Sequence, residues 1–470
     1  MKKTLLITLT GIVAFISACT TTEQCKVNTF KASADFSADN GKIKPMNGSN
    51  LGPNIYNGDS GGGSVAKDIA KLNIPITRLH DVSLKEPGLK IVDTDLIFPH
   101  FHVDENDPRN YVFAPTDDYI NQILSQNTKI FYRLGVSIDH SLRKYRTEMP
   151  PDPEKWARIC IKIIEHYNEG WNNGFKHNIE YWEIWNEPDC VNPSGRRTMW
   201  NGTYDEYVTF YCKVAKIIKN RFPHLKIGGP AITWLDPVML KKLTDGCKRT
   251  GAPLDFFSWH SYPNKVENII AQPVLARKLL DKEGFKNTEI HLNEWHYFPL
   301  KWSELRSEAD KKVQYAKLHT LESGVFTASV MTALQDTPLD YSYYYYAAKG
   351  GWGIFDNYGI KHKSYYGNLA FGQIFKYPNR VKATSSNKGV YTLAGKDANG
   401  NKAMLVNLFK TGKGKLEISL NGVDKAALKN VKVYMYDDAK NLEETSDFSI
   451  NGNVLTVPII SDSSAVLLKM

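Results

Sequence analysis

The chain has 470 residues, of which 42% are hydrophobic and 23% charged, and its formal net charge is +9. This composition is typical of a globular protein and excludes a disordered or fibrous chain. The basic surplus forms no block, so we expect no nucleic-acid partner. The six cysteines share no CxxC spacing, and a disulfide framework is not indicated, although a single bridge could form.

The first residues have the organisation of a bacterial lipoprotein signal peptide. Lys2 and Lys3 precede a short apolar run, and Ile16-Ser17-Ala18-Cys19 resembles a lipobox, whose cysteine is lipidated. The apolar run is too short to cross a membrane. We therefore expect residues 1–18 to be a signal peptide, Cys19 to carry a lipid anchor, and the protein to lie in the bacterial cell envelope. A plain secretory signal is the alternative.

Residues 19–40 are rich in Thr, Ser and Asp and begin as a tether. The stretch CKVNTFKASADF inside this range could instead pair with the last domain, which would bring the two ends of the chain together.

Residues 41–377 alternate between short apolar strands and amphipathic helices, a pattern that indicates parallel strands with helical crossovers. Asp152 before Pro153 predicts one helix start, Thr203 with Glu206 forms a capping box, and Asp236 before Pro237 predicts a third. Eight strands predict a (β/α)8 TIM barrel. One lies near Ile43-Lys44, and the others span 76–80, 130–135, 181–187, 225–231, 255–262, 289–295 and 341–346.

Residues 378–470 have a different pattern, with short alternating runs separated by Gly, Asn and Asp turns. No stretch of helical periodicity of useful length interrupts them. This pattern predicts a C-terminal antiparallel β-sandwich domain.

Two glutamates stand where a barrel places its functional groups, at the C-terminal ends of strands. Glu187 ends the fourth predicted strand and Glu294 ends the seventh. A glutamate alone would be taken for a surface or ion-paired residue, but an unpaired carboxylate in an apolar strand is costly. Glycoside hydrolysis requires such a pair, one group to protonate the leaving oxygen and one to attack or to guide water.

The sequence resembles glycoside hydrolase family 39, the β-xylosidase and α-L-iduronidase family of clan A. Trp185-Asn186-Glu187-Pro188 resembles the clan A acid/base motif. The stretch KPMNGSNLGP, Arg78-Leu79-His80 and the run Trp259 to Tyr262 resemble family segments in the same order. The likeness extends from about Lys44 to Phe375, and the trailing sandwich also fits.

The resemblance implies a retaining hydrolase of O-glycosidic bonds in oligo- or polysaccharides, β-xylosidase-like, acting by double displacement. It assigns the acid/base to Glu187, the nucleophile to Glu294 and a contact with the sugar 2-hydroxyl to Asn186. It also implies that Arg78 keeps the nucleophile ionised, because an adjacent cation lowers a carboxylate pKa. Residues implied to line the glycone pocket are His80, His260 and Tyr262. A structural ion pair for Arg78 and core positions for the two histidines are the alternatives.

The eighth predicted strand departs from the family pattern. In family xylosidases this region resembles a Trp-x-Phe-Ser-Asp run followed by acidic residues. This chain instead has tyrosines from Tyr343 to Tyr346. Because side chains alternate along a strand, one pair of these tyrosines would face the mouth of the barrel, at the C-terminal ends of its strands. Trp352 is a candidate stacking platform for sugar.

The substrate therefore stays open between β-xylosides, arabinosides, galactosides and uronic-acid glycans. A surface glycan-binding lipoprotein without catalysis is the alternative from another class. We expect a carbohydrate partner, and no cofactor and no catalytic metal.

Overall fold

The computed structural model describes residues 28–52, 65–81, 91–138, 144–192 and 195–470. The expected signal peptide, Cys19 and the first part of the tether lie outside these ranges. No helix in the described ranges combines the length and the apolar character that crossing a bilayer requires.

The predicted (β/α)8 barrel is confirmed. Strand β1 (Asn28–Lys42) precedes the barrel and belongs to the second domain. Eight parallel strands then close a barrel in chain order, with β9 pairing back onto β2. They are β2 (Gly48–Asn50), β3 (Ile76–Leu79), β4 (Lys129–Leu134), β5 (Tyr181–Ile184), β6 (Lys226–Ile232), β7 (Phe256–Ser261), β8 (Glu289–Trp295) and β9 (Tyr341–Tyr344).

The placement of the first barrel strand near Ile43-Lys44 was wrong. Ile43 N donates to Pro378 O, and Lys44 Nζ donates to the carbonyl of Leu339, so both residues lie in the connection between the domains. The strand itself is Gly48–Asn50, whose residues carry no apolar side chain. A Cβ at Gly48 would lie 2.6 Å from Ser342 O, so the seam that closes the barrel requires this small residue.

The predicted helix starts at three crossovers are confirmed. Asp152 accepts from two backbone N–H groups of the first turn of its helix, Asp236 does the same, and Thr203 with Glu206 forms a capping box. The helices are α1 (Ala66–Ala70), α2 (Thr94–Ile97), α3 (Ala114–Leu124), α4 (Pro153–Asn168), α5 (Tyr204–Arg221), α6 (Pro237–Thr250), α7 (Val266–Lys282), α8 (Glu308–Leu318), α9 (Leu321–Ala333), α10 (Lys363–Ile374) and, in the second domain, α11 (Lys425–Lys429).

The barrel interior is layered. Aromatic rings fill its N-terminal half, among them Phe131, Tyr181, Phe256, His291 and Tyr343. Because alternate residues of a strand face the same side, the next inward positions of these strands form a polar layer above the rings. This layer supports the mouth.

The second domain is one ten-stranded sheet that curls into the predicted sandwich. Its remaining strands are β10 (Asn379–Ser385), β11 (Val390–Lys396), β12 (Lys402–Leu408), β13 (Gly414–Asn421), β14 (Lys432–Tyr436), β15 (Asn441–Thr445), β16 (Ser449–Asn451), β17 (Val454–Ile459) and β18 (Ser464–Lys469). The order is β15-β14-β18-β12-β11-β10-β1-β13-β17-β16. Strand β1 pairs antiparallel with β10 and parallel with β13, so much of the expected tether is a central strand.

One face of the sheet encloses a core and the other packs on the barrel. Phe30 and Phe36 of β1 share the enclosed core with Leu416 of β13 and Leu468 of β18. On the opposite face, apolar residues of β11, β12 and β18 join the core of the barrel, beside α9 and α10. The cysteines in the described ranges are free thiols: Cys160, Cys190, Cys212 and Cys247.

Candidate active site

A buried ion pair forms the floor of the site. Arg78 Nε of β3 donates to Glu183 Oε2 of β5 at 2.7 Å, and both side chains are fully buried. Ser258 Oγ and Asn293 Nδ2 each donate to Glu183 Oε1 at 2.7 Å. A buried carboxylate is tolerated when its hydrogen bonds are complete in this way. Sequence reasoning missed Glu183, although a charged residue inside the apolar run YWEIW was a signal.

The other nitrogens of Arg78 reach the mouth. Nη1 donates to Asn50 Oδ1 at 3.2 Å and to Glu294 Oε2 at 3.3 Å, and Nη2 donates to Asn186 Oδ1 at 2.7 Å. Arg78 is thus both a structural ion-pair partner and a neighbour of the expected nucleophile. Since a guanidinium group only donates, the atom of Asn186 that faces it is the amide oxygen.

Glu187 and Glu294 come together at the C-terminal end of the barrel. Each side chain has an oxygen in a group of ligand atoms that all lie within 4.8 Å of one another. Their side chains are 16% and 8% exposed, so both carboxyls are largely removed from water but remain reachable.

Glu187 follows β5 and has a left-handed backbone conformation. Its φ is 44°, Trp185 has a φ of 75°, and such values are uncommon for residues with a side chain. Glu187 N donates to Ala231 O at 2.9 Å, which holds this turn against the end of β6. A backbone strain that the surrounding structure maintains is a feature of functional sites.

His260 of β7 lies between the two carboxylates. Its Nδ1 is 2.8 Å from Glu187 Oε1, and its Nε2 is 3.6 Å from Glu294 Oε2. Burial lowers the pKa of His260 to about 4, so the ring is neutral at physiological pH and carries one proton. The expected site residue therefore contacts both catalytic candidates.

Burial raises the pKa of both glutamates to about 7. Asp81 adds to the increase at Glu187, and the neighbouring Glu187 adds to it at Glu294. His260, Arg78 and the hydroxyl of Tyr262, which donates to Glu294 Oε1, act in the opposite direction at Glu294. Since the two carboxyls are neighbours, a negative charge on one disfavours a negative charge on the other. Because Glu294 has direct contacts with Arg78 and Tyr262, we assign the negative charge of the singly protonated pair to Glu294 and the proton to Glu187.

His80 lies beside the pair and not between its members. Its Nε2 is 3.2 Å from Asp81 Oδ2, and burial lowers its pKa to about 3. Asp81 also accepts from Tyr345 OH at 3.1 Å and from Ile138 N at 3.1 Å. Asp81 is an acidic residue at the mouth that sequence reasoning missed, although it directly follows the R-x-H segment.

Aromatic side chains build the wall on the side of Glu294. The ring of Tyr262 is 5.7 Å from that of Trp352, the predicted platform, which is half-buried and stacks on Phe298 at 5.9 Å. Trp302 stacks on Phe298 at 4.2 Å and completes the wall. Sequence reasoning did not find Trp302. Among the tyrosines of the last strand, Tyr343 faces the barrel interior below the site and Tyr345 reaches Asp81 at the mouth.

The cluster of Glu187, His260 and Glu294 also has the spacing of a metal site. Its ligand atoms are close enough to one another to surround one ion. The absence of a catalytic metal stays a prediction from the sequence.

Fold and site together define a (β/α)8-barrel protein with a buried carboxylate pair at the C-terminal mouth, the arrangement on which retaining glycoside hydrolysis relies. The sequence profile of glycosyl hydrolases family 39 matches residues 85–376. This match covers more than half of the chain, and the protein belongs to that family.

Two curated β-xylosidases are similar to this chain. That of Geobacillus stearothermophilus is 25% identical over 221 residues, which cover 40% of this chain and 42% of that protein. That of Caldicellulosiruptor saccharolyticus is 25% identical over 281 residues, or 54% and 55%. The chain thus spans about half the length of the curated relatives it matches.

Solved structures share the fold over nearly the whole chain. A glucosidase from Croceicoccus marinus superposes with a TM-score of 0.75 at 20% identity, covering 94% of this chain and 99% of that one. An α-L-arabinofuranosidase from Thermotoga maritima superposes with a TM-score of 0.65 at 15% identity, covering 94% and 100%. At these identities the likeness concerns the fold alone.

Proposed function

We propose that this protein is a retaining glycoside hydrolase in which Glu187 is the acid/base and Glu294 the nucleophile. The observation that carries the proposal is the approach of the two carboxyls within 4.8 Å across the barrel mouth. Retaining enzymes place their carboxyls about 5–5.5 Å apart, whereas inverting enzymes need roughly 6.5 Å or more to admit a water molecule.

The first step begins with a proton on Glu187 and a charge on Glu294. Glu294 attacks the anomeric carbon while Glu187 protonates the leaving oxygen, and the bond between the two sugars breaks. Arg78 and Tyr262 hold the attacking carboxylate by donating to its two oxygens. Asn186, whose oxygen is engaged by Arg78, keeps its NH2 end for the sugar 2-hydroxyl.

The second step reverses the role of Glu187. Formation of the glycosyl ester removes the negative charge of Glu294, so the pKa of Glu187 falls and its carboxylate accepts a proton from water. The water attacks the anomeric carbon from the face that the leaving group vacated, which restores the original configuration. In the first step neutral His260, with its ring proton on Nε2, accepts through Nδ1 from protonated Glu187.

The proposed substrate is a β-xyloside in an oligo- or polysaccharide. Support comes from two relatives that are β-xylosidases. A screen of aryl glycosides, with xylosides beside arabinosides, galactosides and uronides, tests this choice. Cleavage of another glycoside at a far higher kcat/KM than the xyloside would contradict it.

Rescue by azide tests the two catalytic assignments separately. Glu187→Ala and Glu294→Ala should each lower kcat by about 10²-fold or more, whereas Glu308→Ala, at a side chain that is 82% exposed, should leave it unchanged. With an activated aryl glycoside, azide should restore turnover in both variants. Azide attacks the glycosyl-enzyme of the Glu187 variant and yields a glycosyl azide of retained configuration. In the Glu294 variant it replaces the nucleophile and yields the inverted azide. Wild-type turnover in either variant, or the same azide anomer from both, would refute the assignment.

We also propose that the mature protein is lipid-anchored through Cys19 in the bacterial cell envelope. The supporting feature is the sequence Ile16-Ser17-Ala18-Cys19 after an apolar run. Growth with a labelled fatty acid should label the wild type, and Cys19→Ala should abolish the label. Equal labelling of both proteins would contradict the proposal.

A further inference from the structure

Large aromatic side chains are exposed at one end of this molecule. In the described ranges, four aromatic residues stand among the exposed large hydrophobic residues, and their exposed fractions lie between 54% and 69%. They are Tyr145, Trp234, Trp302 and Tyr358. Each lies in a segment between the C-terminal end of a barrel strand and the next helix, respectively after β4, β6, β8 and β9. The opposite end of the barrel, the outer helices and the sandwich contribute none within the described residues.

The tryptophans make this distribution most informative. The chain has ten, and within the described ranges only Trp234 and Trp302 are classed as exposed, at 58% and 54%. An exposed indole leaves a large apolar surface in water, which is unfavourable unless a ligand covers it. The electron-rich face of an aromatic ring suits the C–H groups of a sugar ring, which form the apolar surface of a carbohydrate.

Trp302 packs near Tyr262, on the side of the site that holds Glu294. Its ring centroid is 5.6 Å from that of Tyr262, whose hydroxyl donates to Glu294. The indole packs on Phe298 with an angle of 21° between the ring planes, and the side chain of Trp302 is still 54% exposed. Trp352 supports the same wall at 6.1 Å.

Trp234 lies in a segment that is hydrogen-bonded to the turn after Glu187. The preceding residue, Thr233, donates its backbone N–H and its hydroxyl to the carboxylate of Asp189. Asp189 lies two residues after Glu187 in the turn that follows β5. The segment that carries Trp234 is thus tied to the segment that carries the proposed acid/base.

We propose that Trp302 and Trp234 are stacking platforms for two sugar rings that flank the residue whose bond is cleaved. The substrate is then a glycan chain that extends on both sides of the catalytic pair, and the protein cuts inside the chain instead of removing single sugars from an end. This inference rests on the proposed glycosidase function and specifies its substrate class.

A chain-length series tests the platforms. Initial rates are measured on an aryl monoglycoside and on unmodified oligosaccharides of the same sugar, from the disaccharide upward. Wild-type kcat/KM should rise with chain length. Trp302→Ala and Trp234→Ala should each lower the ratio of kcat/KM on the longest oligosaccharide to that on the aryl monoglycoside on the order of tenfold, as expected for loss of one aromatic contact. Trp302→Phe, which keeps a flat ring, should recover most of this loss.

Leu275→Ala is the matched control, because this exposed residue lies on α7 in the outer layer of helices. It should leave both rates unchanged. Products of early digestion should include fragments longer than one sugar. A ratio that neither tryptophan variant changes, or release of single sugars alone, would overturn the proposal.

The test separates this inference from the proposed function. If the wild type cleaves no glycoside, the proposed function fails, and glycan affinity is measured instead by retardation of the wild type and of each variant in gels containing polysaccharide. Stronger retardation of the wild type than of both tryptophan variants would support the role of the two tryptophans as stacking platforms in a protein without catalysis. Equal retardation would overturn them as well.

Discussion

Replacing Glu187 by glutamine should stabilise the folded protein at neutral and alkaline pH, although it should also abolish turnover. The folded-state pKa of Glu187 is raised from 4.5 to about 7, chiefly by burial. Below pH 4.5 the carboxyl is protonated in both folded and unfolded states and costs nothing. As the pH rises toward 7, the unfolded state releases its proton while the folded state retains it, so stability falls; above about 7 the full cost is present.

The magnitude follows from the size of this shift. One pKa unit corresponds to about 1.4 kcal/mol, so the raised pKa of Glu187 amounts to roughly 3 kcal/mol. Glutamine has nearly the same shape, carries no charge and can still bond to His260 Nδ1. We therefore expect Glu187→Gln to gain roughly 3 kcal/mol over the wild type above pH 7 and nothing well below pH 4.5.

Denaturant unfolding of both proteins between about pH 5 and 8 measures this gain. Glu308→Gln, at an exposed position, should follow the wild type throughout. Glu294→Gln should gain less, because Arg78 and Tyr262 each donate to one oxygen of Glu294, and the amide NH2 of glutamine cannot accept from either of them. A stability difference between Glu187→Gln and the wild type that is the same at both ends of the pH range would refute the reasoning.

Three further predictions concern the pair and the second domain. The pH profile of kcat/KM should fall on both sides of about 7, since Glu187 loses its proton above this value and Glu294 gains one below it; initial rates measure this, and a plateau through the alkaline range would contradict it. Tyr262→Phe removes a donor that lowers the pKa of Glu294, so the acidic limb should move to higher pH and kcat/KM should fall by roughly tenfold or more; an unmoved limb would argue against the contact. Phe36→Ala empties a position in the sandwich core that is 2% exposed and should cost about 3–5 kcal/mol of unfolding free energy, whereas exposed Lys31→Ala should cost little; equal losses in denaturant unfolding would disprove the role of β1.

The sequence predicts the barrel well where burial shapes composition. Strands β3 to β9 are apolar runs between amphipathic helices, and their order predicts the closed barrel. Strand β2 was not predicted, because none of its three residues has an apolar side chain. Gly48 allows a close approach to Ser342 where the barrel closes, and Asn50 makes a polar contact at the mouth.

Strand β1 lies in the stretch for which the sequence left two interpretations open, a tether and a strand that pairs with the last domain. Residues Phe30, Ala32, Ala34 and Phe36 alternate with polar residues, as a half-buried strand requires. Three of the surrounding residue types, Ser, Asp and Thr, are also those of a linker, and the partners of the strand, such as Asn379 for Lys42 and Gly414 for Asn28, lie far away in sequence. Composition alone therefore left both the tether and the paired strand open.

The site divides in a similar way. Glu187 and Glu294 were predicted because each stands at a strand end inside an apolar run. Glu183 and Asp81 were missed because their roles depend on partners from other strands, which only the closed barrel brings within hydrogen-bonding distance. The exposure of Trp234 and Trp302 depends on loop packing and has no local sequence signal.

Strand β1 is synthesised early but pairs with strands that are synthesised much later. Its neighbours in the sheet, β10 and β13, are among the last elements to be synthesised, and the registers Ala32 with Ser385 and Asn28 with Gly414 join residues from opposite ends of the polypeptide. Such distant pairings close slowly, since the intervening chain must first be ordered. Until then the apolar face of β1 that carries Phe30 and Phe36 has no cover, and a nascent chain that stalls before β13 leaves this face open to aggregation. A barrel excised with β1 but without the C-terminal strands would leave this strand without the partners that it has in the sheet.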